Sequence, residues 1–330
     1  MKISIAMCTY NGADFLPAQW ESIQAQSRKP DEIVVCDDGS SDQTRRLLEQ
    51  FAKQSSIPVT LRFNEKNLGS VKNFEQAIRL CTGEIIALSD QDDIWRSDKL
   101  QLIEDAFTKH PAARLVFSDA EIVAEDLEPL GKRMWAEVGF ESHKQKLIAR
   151  GRALEVLITG WTVTGATMAF RSDFVNLSLA IPDGIAMIHD GWIALTIAAV
   201  AEVIAIDEPL IKYRQHGRQQ IGAPARPELK AQPRGVQAIE TAFRRRNSSA
   251  DLHKTLEVLE ERLLAHAEAY DTCKALAFVS DYAFHLNVRA NLPQRRLNRL
   301  PRILRELLTL RYHEYANGFK SAAKDLVSLR

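Results

Sequence analysis

Residues 85–93 have the sequence IIALSDQDD, an apolar run followed at once by three aspartates in four positions. A short continuous apolar run is typical of a strand that is buried on both faces of a sheet. Clustered carboxylates at the end of such a strand repel one another unless a cation neutralises them. Mg²⁺ and Mn²⁺ prefer oxygen ligands and often share them with substrate phosphates, so this stretch predicts a metal-held nucleotide diphosphate. The alternative is that Asp90 or Asp93 caps the following helix, since aspartate is a favoured N-cap residue.

Outward from this stretch, strand and helix patterns alternate along the first 120 residues. The predicted strands are 3–7, 32–36, 59–63, 84–88 and 114–117, and the predicted helices are 12–26, 41–54, 71–80 and 99–109. Strands of continuous Ile and Val character between helices indicate a parallel sheet with helices on both faces. Ligands of such sheets bind beyond the carboxyl ends of the strands. That rule places the polar clusters at 9–12, 37–40 and 90–93 along one edge of the sheet.

The rest of the chain has a different pattern. Residues 121–150 are polar and irregular, and we expect a loop or small helices over the edge of the sheet. Residues 151–222 are apolar again, with a strand-like segment at 167–170, and the Gly/Pro-rich residues 222–227 are typical of a linker. Beyond about residue 236, leucines recur at helical spacing. The predicted domains are 1–222, with a nucleotide-binding part (1–120) and an acceptor and catalytic part (121–222), and a helical C-terminal extension (223–330).

The charge of the chain is balanced overall but not locally. Forty-three Lys and Arg residues match 43 Asp and Glu residues, which argues against a general nucleic-acid binder with its basic footprint. The C-terminal segment is cationic, with Arg289, Arg295, Arg296, Arg299, Arg302, Arg305, Arg311, Lys320, Lys324 and Arg330 against Glu306, Glu314 and Asp325. A cationic amphipathic helix over 300–310 can lie on an anionic membrane, and packing on the catalytic domain is the alternative.

Cysteine usage and the N-terminus predict a cytoplasmic protein. None of the four cysteines (Cys8, Cys36, Cys81 and Cys273) belongs to a CxxC pair, which is typical of a reduced compartment. Residues 1–5 enter a strand at once, so we expect no signal peptide. No run of 18 apolar residues is present to span a membrane. Peripheral attachment to the inner membrane face is the remaining route to a membrane.

The ends of the first two predicted strands offer groups for a nucleotide base. Asp38 can accept a hydrogen bond from a pyrimidine N3–H, while Thr9 and Tyr10 can supply a hydroxyl and a ring to the same base. The alternative for Asp37 and Asp38 is a structural role in the turn. The phosphate-binding loops GxGxxG and GxxxxGK[ST] are missing, so neither a dinucleotide-dependent dehydrogenase nor a P-loop enzyme is supported.

Several separated motifs together resemble the glycosyltransferase family 2 domain, which has the GT-A fold. They are CTYNG at 8–12, DDGSSD at 37–42, NLG at 67–69 and LSDQDDIW at 88–95. Three later motifs, TGATM at 164–168, HDGW at 189–192 and YRQHG at 213–217, are similar to its rhamnosyltransferase-like branch. The resemblance covers roughly residues 2–222. It implies an α/β fold with a mostly parallel nucleotide-binding sheet, helices on both faces and a C-terminal helical extension.

The resemblance also implies roles at the matching positions. Nucleotide contacts are assigned to Thr9, Tyr10, Asn11, Asp38, Asn67 and Asp90, metal binding (Mg²⁺ or Mn²⁺) to Asp92 and His216, the catalytic base to Asp190, and acceptor contacts to Trp161, Gly165 and Trp192. The alternatives are a helix N-cap for Asp190 and structural hydrogen bonding for His189 and His216. Two departures from the family pattern are Gly191, where a bulky aromatic is common, and residues 218–220, where an Asn-containing run is common.

The chemistry of glycosyl transfer agrees with these residue types. A metal neutralises the leaving diphosphate, and a base takes the proton of the acceptor hydroxyl. The predicted function is an inverting, metal-dependent hexosyltransferase. It would move a single sugar, with rhamnose as the candidate, from a dTDP-, UDP- or GDP-linked donor to a glycan or lipid-linked glycan of the cell surface, such as O-antigen or capsule.

We expect the enzyme to add one sugar to each acceptor instead of extending a polymer. The sequence lacks the transmembrane helices and the QxxRW motif of the family's processive synthases. A catalytically inactive sugar-nucleotide-binding or scaffold protein with the same fold is the first alternative. A nucleotidyltransferase is the second, but it would need a Gly-rich loop with Arg and Lys after the first strand, which residues 9–13 do not provide.

Overall fold

A computed structural model describes residues 1–185, 187–219 and 249–328 of the chain. The chain divides into two compact units, Met1–Arg246 and Asn247–Arg330. The predicted domain boundary between residues 222 and 223 and the predicted linker at 222–227 lie outside the described residues.

The first unit is built on one mixed sheet. Its strands are β1 (Ile3–Thr9), β2 (Glu32–Asp37), β3 (Val59–Phe63), β4 (Ile85–Ser89), β5 (Ile94–Trp95), β6 (Ala113–Val123), β7 (Pro129–Arg133), β8 (Met168–Arg171) and β9 (Glu202–Arg214). Its helices are α1 (Leu16–Gln24), α2 (Thr44–Gln54), α3 (Ser70–Leu80), α4 (Lys99–Lys109), α5 (Met134–Glu137), α6 (Ser142–Ala149), α7 (Ala153–Leu157), α8 (Val175–Ser178) and α9 (His189–Ala198). Within the described residues the strand order is β3-β2-β1-β4-β8-β6-β9-β5, and β7 pairs with β6.

Four consecutive strands, β3-β2-β1-β4, form the parallel half of the sheet. Every residue of β1 and β4 is buried, which is the physical counterpart of their unbroken apolar sequence. Parallel pairing brings the carboxyl ends together, since Thr9 of β1 pairs with Asp37 of β2 and Met7 of β1 pairs with Ser89 of β4. The predicted α/β fold with an edge of polar clusters is therefore confirmed in this half.

The other half of the sheet is mixed. Strand β8 runs antiparallel to β4 and β6, while β9 runs parallel to β6 and antiparallel to β5. The expectation of a loop or small helices over 121–150 is wrong at residues 121–123 and 129–133, which belong to β6 and β7. Strand β6 can continue through the buried Asp119 because the carboxylate of this residue is hydrogen-bonded. It accepts from Arg133 Nε at 2.7 Å and from the backbone N–H of Trp135 at 2.9 Å.

Helix α1 illustrates how the sheet is covered. The predicted apolar face of Leu16, Trp20 and Ile23 is buried and belongs to the main core. Burying each such side chain stabilises the fold by about 1.5–3 kcal/mol. The helix begins at Leu16 rather than at residue 12, and Pro17 lies in its first turn, where a missing N–H has no effect on the helix ladder.

The second unit is helical within the described residues, as predicted. Its helices are α10 (Ser249–Ala265), α11 (Cys273–Ala290), α12 (Leu300–Leu308), α13 (Arg311–Glu314) and α14 (Phe319–Val327). Leu256, Leu259 and Leu263 of the predicted leucine stripe are buried. A small apolar cluster joins the later helices through Ile303 and Tyr312. No helix among the described residues is long and apolar enough to cross a membrane.

Candidate active site

A cleft opens at the carboxyl ends of β1, β2 and β4. The predicted residues that line it are Thr9, Tyr10, Asp38, Asp90, Asp92, Trp161, Gly165 and Asp190. The further lining residues are Cys8, Ser70, Asn73, Phe74, Gln91, Thr164, Ile188, His189, Tyr213, Arg218 and Gln219. The fold thus brings together groups that lie up to about two hundred residues apart in the sequence, as the strand-end rule requires.

Asp38 organises one wall of the cleft. Its Oδ1 accepts hydrogen bonds from Asn64 Nδ2 at 3.0 Å and from the Leu68 N–H at 2.8 Å. Its Oδ2 accepts from the Gly69 N–H at 2.9 Å, where a positive φ of 85° suits glycine. A carboxylate has about four acceptor sites, so Oδ2 keeps one for a ligand.

Asp37 is a turn residue, in agreement with the structural alternative. It is fully buried and accepts hydrogen bonds from the Ser40 N–H at 3.0 Å and from Arg45 Nε at 3.3 Å. The hydroxyl of Thr9 donates to Asp37 Oδ2 at 2.9 Å. The Thr9 oxygen therefore reaches the cleft as an acceptor, while its proton is used to hold the turn.

Gln91 links the ends of β1 and β4, a role that sequence reasoning missed. Its Oε1 accepts from the Tyr10 N–H at 2.8 Å, and its Nε2 donates to the Tyr10 carbonyl at 3.0 Å. A Cβ at Gly12 would lie 2.1 Å from Gln91 Oε1, so a larger residue there would displace the Gln91 amide from Tyr10. The neighbouring Asn11 accepts a hydrogen bond from the Ser41 N–H at 2.8 Å and holds the loop instead of lining the cleft.

Burial and mutual repulsion disfavour the charged forms of Asp90 and Asp93 in the acidic cluster of residues 90–93. Burial, with Asp92 and Asp190 nearby, raises the pKa of Asp90 to about 8. Burial, with Asp92 and Asp90 nearby, raises the pKa of Asp93 well above its usual value. Asp93 Oδ2 has no hydrogen-bond partner among the described residues. Helix α4 begins at Lys99 after Asp98, so the capping alternative for Asp90 and Asp93 is wrong.

Lys99 lies behind this cluster. It is fully buried, its Nζ donates to the Ala166 carbonyl, and it sits 3.6 Å from the ring centroid of Trp95. Burial lowers the pKa of Lys99 to about 7, against the opposing effect of Asp93 and Asp90. The sequence carries no signal for this position, because a lysine in the first turn of an amphipathic helix is normally exposed.

The two predicted metal ligands are in contact. His216 Nε2 and Asp92 Oδ2 are 2.9 Å apart, although His216 is not part of the cleft lining. The ring also lies 4.1 Å from that of Phe15, and its Nδ1 accepts from the Arg218 N–H at 3.3 Å. Among the described residues no three His, Cys, Asp or Glu side chains are grouped closely enough to hold a metal ion by themselves. Any ion here would therefore need oxygen ligands from substrate as well.

Asp190 lines the cleft beside Trp161 and Gly165. It is 3% exposed, and its Oδ2 accepts from the Gly165 N–H at 2.9 Å and from Trp161 Nε1 at 3.5 Å. Its Oδ1 accepts from the Gly191 N–H at 2.6 Å. Helix α9 begins at His189, so Asp190 lies in the first turn and not at the N-cap position. The positive end of the helix dipole favours a carboxylate there.

His189 departs from the expected structural role. Neither ring nitrogen has a hydrogen-bond partner among the described residues, so structural hydrogen bonding is not its function. The ring stacks on Phe74, with centroids 4.1 Å apart and planes at 19°. The sequence signal for a place in the site is its position next to Asp190 in the motif HDGW, and the fold puts His189 in the cleft lining.

The remaining predicted contacts lie elsewhere. Trp192 is fully buried and donates its Nε1–H to the Ser178 carbonyl at 2.9 Å, because its side of α9 faces the core. Asn67 accepts from the Gly69 N–H at 3.1 Å and shapes the loop beside Asp38. A Cβ at Gly191 would make ordinary contact with Met187 at 3.6 Å, and neither residue lines the cleft.

Residues 218–220, the second departure from the family pattern, are described only in part. Arg218 and Gln219 line the cleft, whereas Gln220 lies outside the described residues. Arg218 donates to Asp14 Oδ2 at 2.7 Å, and its guanidinium lies 5.0 Å from the ring centroid of Phe15. Arg218 thus contributes a cation to the cleft lining, which would attract an anionic group.

Comparison with known proteins gives a family match. Residues 4–176 match the model of the family described as "Glycosyl transferase family 2". An uncharacterized glycosyltransferase of Nostoc sp. is 28% identical over 221 residues, which are 66% of this chain and 66% of that protein. The Escherichia coli UDP-Glc:alpha-D-GlcNAc-diphosphoundecaprenol beta-1,3-glucosyltransferase WfgD is 35% identical over 100 residues, which are 30% of this chain and 38% of that protein. The chain thus spans two thirds or less of the length of these relatives.

Solved structures share the fold at low sequence identity. Staphylococcus aureus TarS 1–349 in complex with UDP-GlcNAc has a TM-score of 0.55 at 16% identity, covering 98% of this chain and 91% of that one. The mannosyltransferase PcManGT of Pyrobaculum calidifontis, solved with GDP-Man and Mn²⁺, has a TM-score of 0.51 at 17% identity, covering 99% of this chain and 87% of that one. At this identity the likeness establishes the fold, which is the GT-A fold that the motifs predicted.

Proposed function

The chain belongs to glycosyl transferase family 2, and its first unit is a glycosyltransferase domain. We propose that the protein transfers one sugar from a nucleotide-diphosphate donor to a cell-surface glycan. One observation carries the proposal: Asp38, Asp90, Asp92 and Asp190 line the same cleft. Carboxylates that hold a base, a metal and an acceptor proton are the groups that this reaction needs in one place.

A divalent cation fits the residues that would hold it. Asp92 Oδ2 and His216 Nε2 already meet at 2.9 Å, and a shared ion would replace their mutual hydrogen bond once the Nε2 proton moves to Nδ1 and the Arg218 N–H gives up that nitrogen. Burial and the neighbouring carboxylates of Asp92 and Asp190 raise the pKa of Asp90, and a cation nearby would favour its charged form. An oxygen and nitrogen donor pair favours Mn²⁺ over Mg²⁺. When bound, the ion would neutralise the leaving diphosphate as a Lewis acid.

The residues of the chain would perform the remaining steps. The Oδ2 atom of Asp38 accepts an N–H of the base, and the Tyr10 ring, which is 37% exposed, offers a surface for it. Asp190 takes the proton of the acceptor hydroxyl as that oxygen attacks the anomeric carbon. The N–H groups of Gly165 and Gly191 hold its carboxylate in position for the transfer. Attack from the side opposite the diphosphate would invert the anomeric centre.

The finer assignments follow the motifs and the relatives. Rhamnose from a dTDP-linked donor is the sugar that TGATM, HDGW and YRQHG favour, with UDP- and GDP-linked sugars as the other donors. WfgD acts on a diphosphoundecaprenol-linked sugar, and we propose the same class of acceptor, a lipid-linked glycan, for this chain. The reaction would take place on the cytoplasmic side of the membrane.

A peripheral membrane contact through the second unit would bring the enzyme to such an acceptor. Leu300, Leu304 and Leu308 of α12 are 36%, 53% and 84% exposed, next to the exposed Arg302 and Arg305. Each basic residue near an anionic surface contributes about 1 kcal/mol to binding. We expect flotation with phosphatidylglycerol vesicles but not with phosphatidylcholine vesicles.

The membrane contact has a matched control. Leu304→Asp with Leu308→Asp should abolish flotation, whereas Leu264→Asp should not, because Leu264 is a 60% exposed leucine of α10 that follows Glu260 and Glu261. Equal flotation of both variants would contradict the contact and leave the transferase proposal intact.

The transferase proposal is tested by binding and by turnover. Calorimetry with UDP-GlcNAc, dTDP-rhamnose and GDP-mannose, with and without Mn²⁺, should show metal-dependent binding of at least one donor. Release of the nucleoside diphosphate in the presence of acceptor then separates an enzyme from an inactive binding protein. Binding without any release would favour the scaffold alternative, and no binding of any donor would contradict both.

A further inference from the structure

We propose that the imidazole of His189 binds a sugar hydroxyl group of the donor or the acceptor beside the carboxylate of Asp190. This inference rests on the proposed function and deepens it. A hydrogen bond at this point would orient one of the two sugars next to the group that takes the acceptor proton. Because the residue would touch the substrate directly, it belongs to the substrate-binding machinery and not to the core.

The first observation is the absence of any partner for a buried polar ring. His189 is 4% exposed, and neither nitrogen is hydrogen-bonded among the described residues. Buried polar atoms without partners destabilise a fold and are uncommon in native structures. Burial also lowers the pKa of the imidazole, against the opposing effect of Asp190. The ring is therefore neutral near pH 7 and offers one N–H donor and one acceptor nitrogen, the complement of a hydroxyl.

The second observation is that the ring is positioned without the use of its nitrogens. Phe74 stacks on one face of His189 at 4.1 Å, and both residues line the cleft. Stacking uses the face of the ring and leaves both nitrogens on its edge without a hydrogen-bond partner. A ring held in this way loses little further freedom when it forms a hydrogen bond.

The third observation is the close approach of His189 and Asp190 to Gly165. A Cβ there would lie 3.0 Å from His189 Nε2 and 3.8 Å from Asp190 Oδ2. The backbone of Gly165 does not have the positive φ that would itself require glycine. Glycine thus lets His189 Nε2 approach this backbone segment closely, so the imidazole and the Asp190 carboxylate lie side by side in the cleft lining. A sugar carries hydroxyls on neighbouring carbons, so one can meet His189 while the next meets Asp190.

Three variants of His189 test the proposal. His189→Leu removes both nitrogens, and we expect a melting temperature at or above that of the parent, with a loss of about tenfold in kcat/KM. His189→Gln places an amide near the position of Nε2, and His189→Asn places one near Nδ1. Because Nε2 is the nitrogen that lies beside Gly165 and Asp190, the glutamine variant should recover more activity than the asparagine variant.

Two arms of the experiment distinguish the donor from the acceptor. With Mn²⁺ present, the affinities of UDP-GlcNAc and GDP-mannose are compared with those of UDP and GDP. A donor contact predicts that His189→Leu weakens binding of the nucleotide sugar while binding of the free nucleotide is unchanged. An acceptor contact predicts that both affinities are unchanged and that KM rises for an α-GlcNAc-diphosphoundecaprenol analogue.

A second buried histidine provides the control. His285 Nδ1 lies 2.7 Å from Glu306 Oε2, and both side chains are buried, so His285→Leu should lower the calorimetric melting temperature. A similar fall for His189→Leu would assign His189 a structural role and overturn the inference. Parent-like binding and turnover by His189→Leu would also overturn it, with the proposed function intact. A parent that binds no nucleotide sugar would instead overturn the proposed function and this inference with it.

Discussion

Replacing Asp90 with asparagine should stabilise the metal-free protein at neutral pH. Burial, with Asp92 and Asp190 nearby, raises the pKa of Asp90 from 3.8 to about 8 in the folded state. Between these values the folded protein holds a proton that the unfolded chain has lost, so stability falls as pH rises, by about 1.4 kcal/mol per unit. Asparagine has the shape of the protonated acid and does not titrate. The variant should therefore exceed the parent by about 4 kcal/mol at pH 7 and by less than about 1 kcal/mol at pH 4.

Tryptophan fluorescence during urea unfolding measures this difference in the relevant unit. All five tryptophans, Trp20, Trp95, Trp135, Trp161 and Trp192, belong to the first unit. Unfolding curves are recorded in EDTA at several values between pH 4 and pH 8. The exposed Asp126 provides the control, and Asp126→Asn should leave the stability at pH 7 within about 0.5 kcal/mol of the parent. An Asp90→Asn variant that is less stable than the parent at pH 7, or a difference that does not grow with pH, would refute the electrostatic reasoning.

Three further changes test the site from other sides. Asp190→Asn should lower turnover by about 10²–10⁴-fold while donor binding, measured by calorimetry, stays within about twofold, because it removes only the base; an equal loss of both would count against that role. Asp92→Asn and His216→Ala should each remove the stimulation of donor binding by Mn²⁺, and stimulation that survives in both would place the ion elsewhere. Gly12→Ala should destabilise the first unit by about 1–3 kcal/mol, because the new Cβ would push the Gln91 amide away from Tyr10 and break its two hydrogen bonds; Gln91→Ala alone should cost about as much and the double variant no more, as urea unfolding would show.

The sequence predicted the parallel half of the sheet because its strands are buried on both faces and therefore unbroken in their apolar character. The end of each strand was visible as a change to polar residues, and the strand-end rule then placed Asp38 beside Asp90 and Asp92. The mixed half was harder to predict. Residues 202–214 of β9 alternate too weakly to indicate a strand, and β6 continues through the buried Asp119.

Side-chain direction was the main limit on predicting the site. Asp190, Gly191 and Trp192 are adjacent in one motif, yet successive helical positions point about 100° apart, so the fold places Asp190 in the cleft and Trp192 in the core. A contact within the sheet edge, such as Gln91 with Tyr10, depends on two loops whose geometry no short-range pattern reveals. Motif membership therefore predicted the neighbourhood of the site better than the role of each residue.

The destabilising features of the first unit lie in and around one place. Its buried side-chain atoms without partners, among the described residues, are Asp93 Oδ2 and the two ring nitrogens of His189. Burial also disfavours the charged forms of Asp90 and Lys99. A fold selected for stability alone would replace such groups with apolar ones, as variants at functional sites often show. A bound cation would supply the positive charge that stabilises these carboxylates, and a sugar would supply hydrogen-bond partners for the unpaired atoms. The same substitutions that stabilise the empty protein should therefore weaken its binding of a nucleotide sugar.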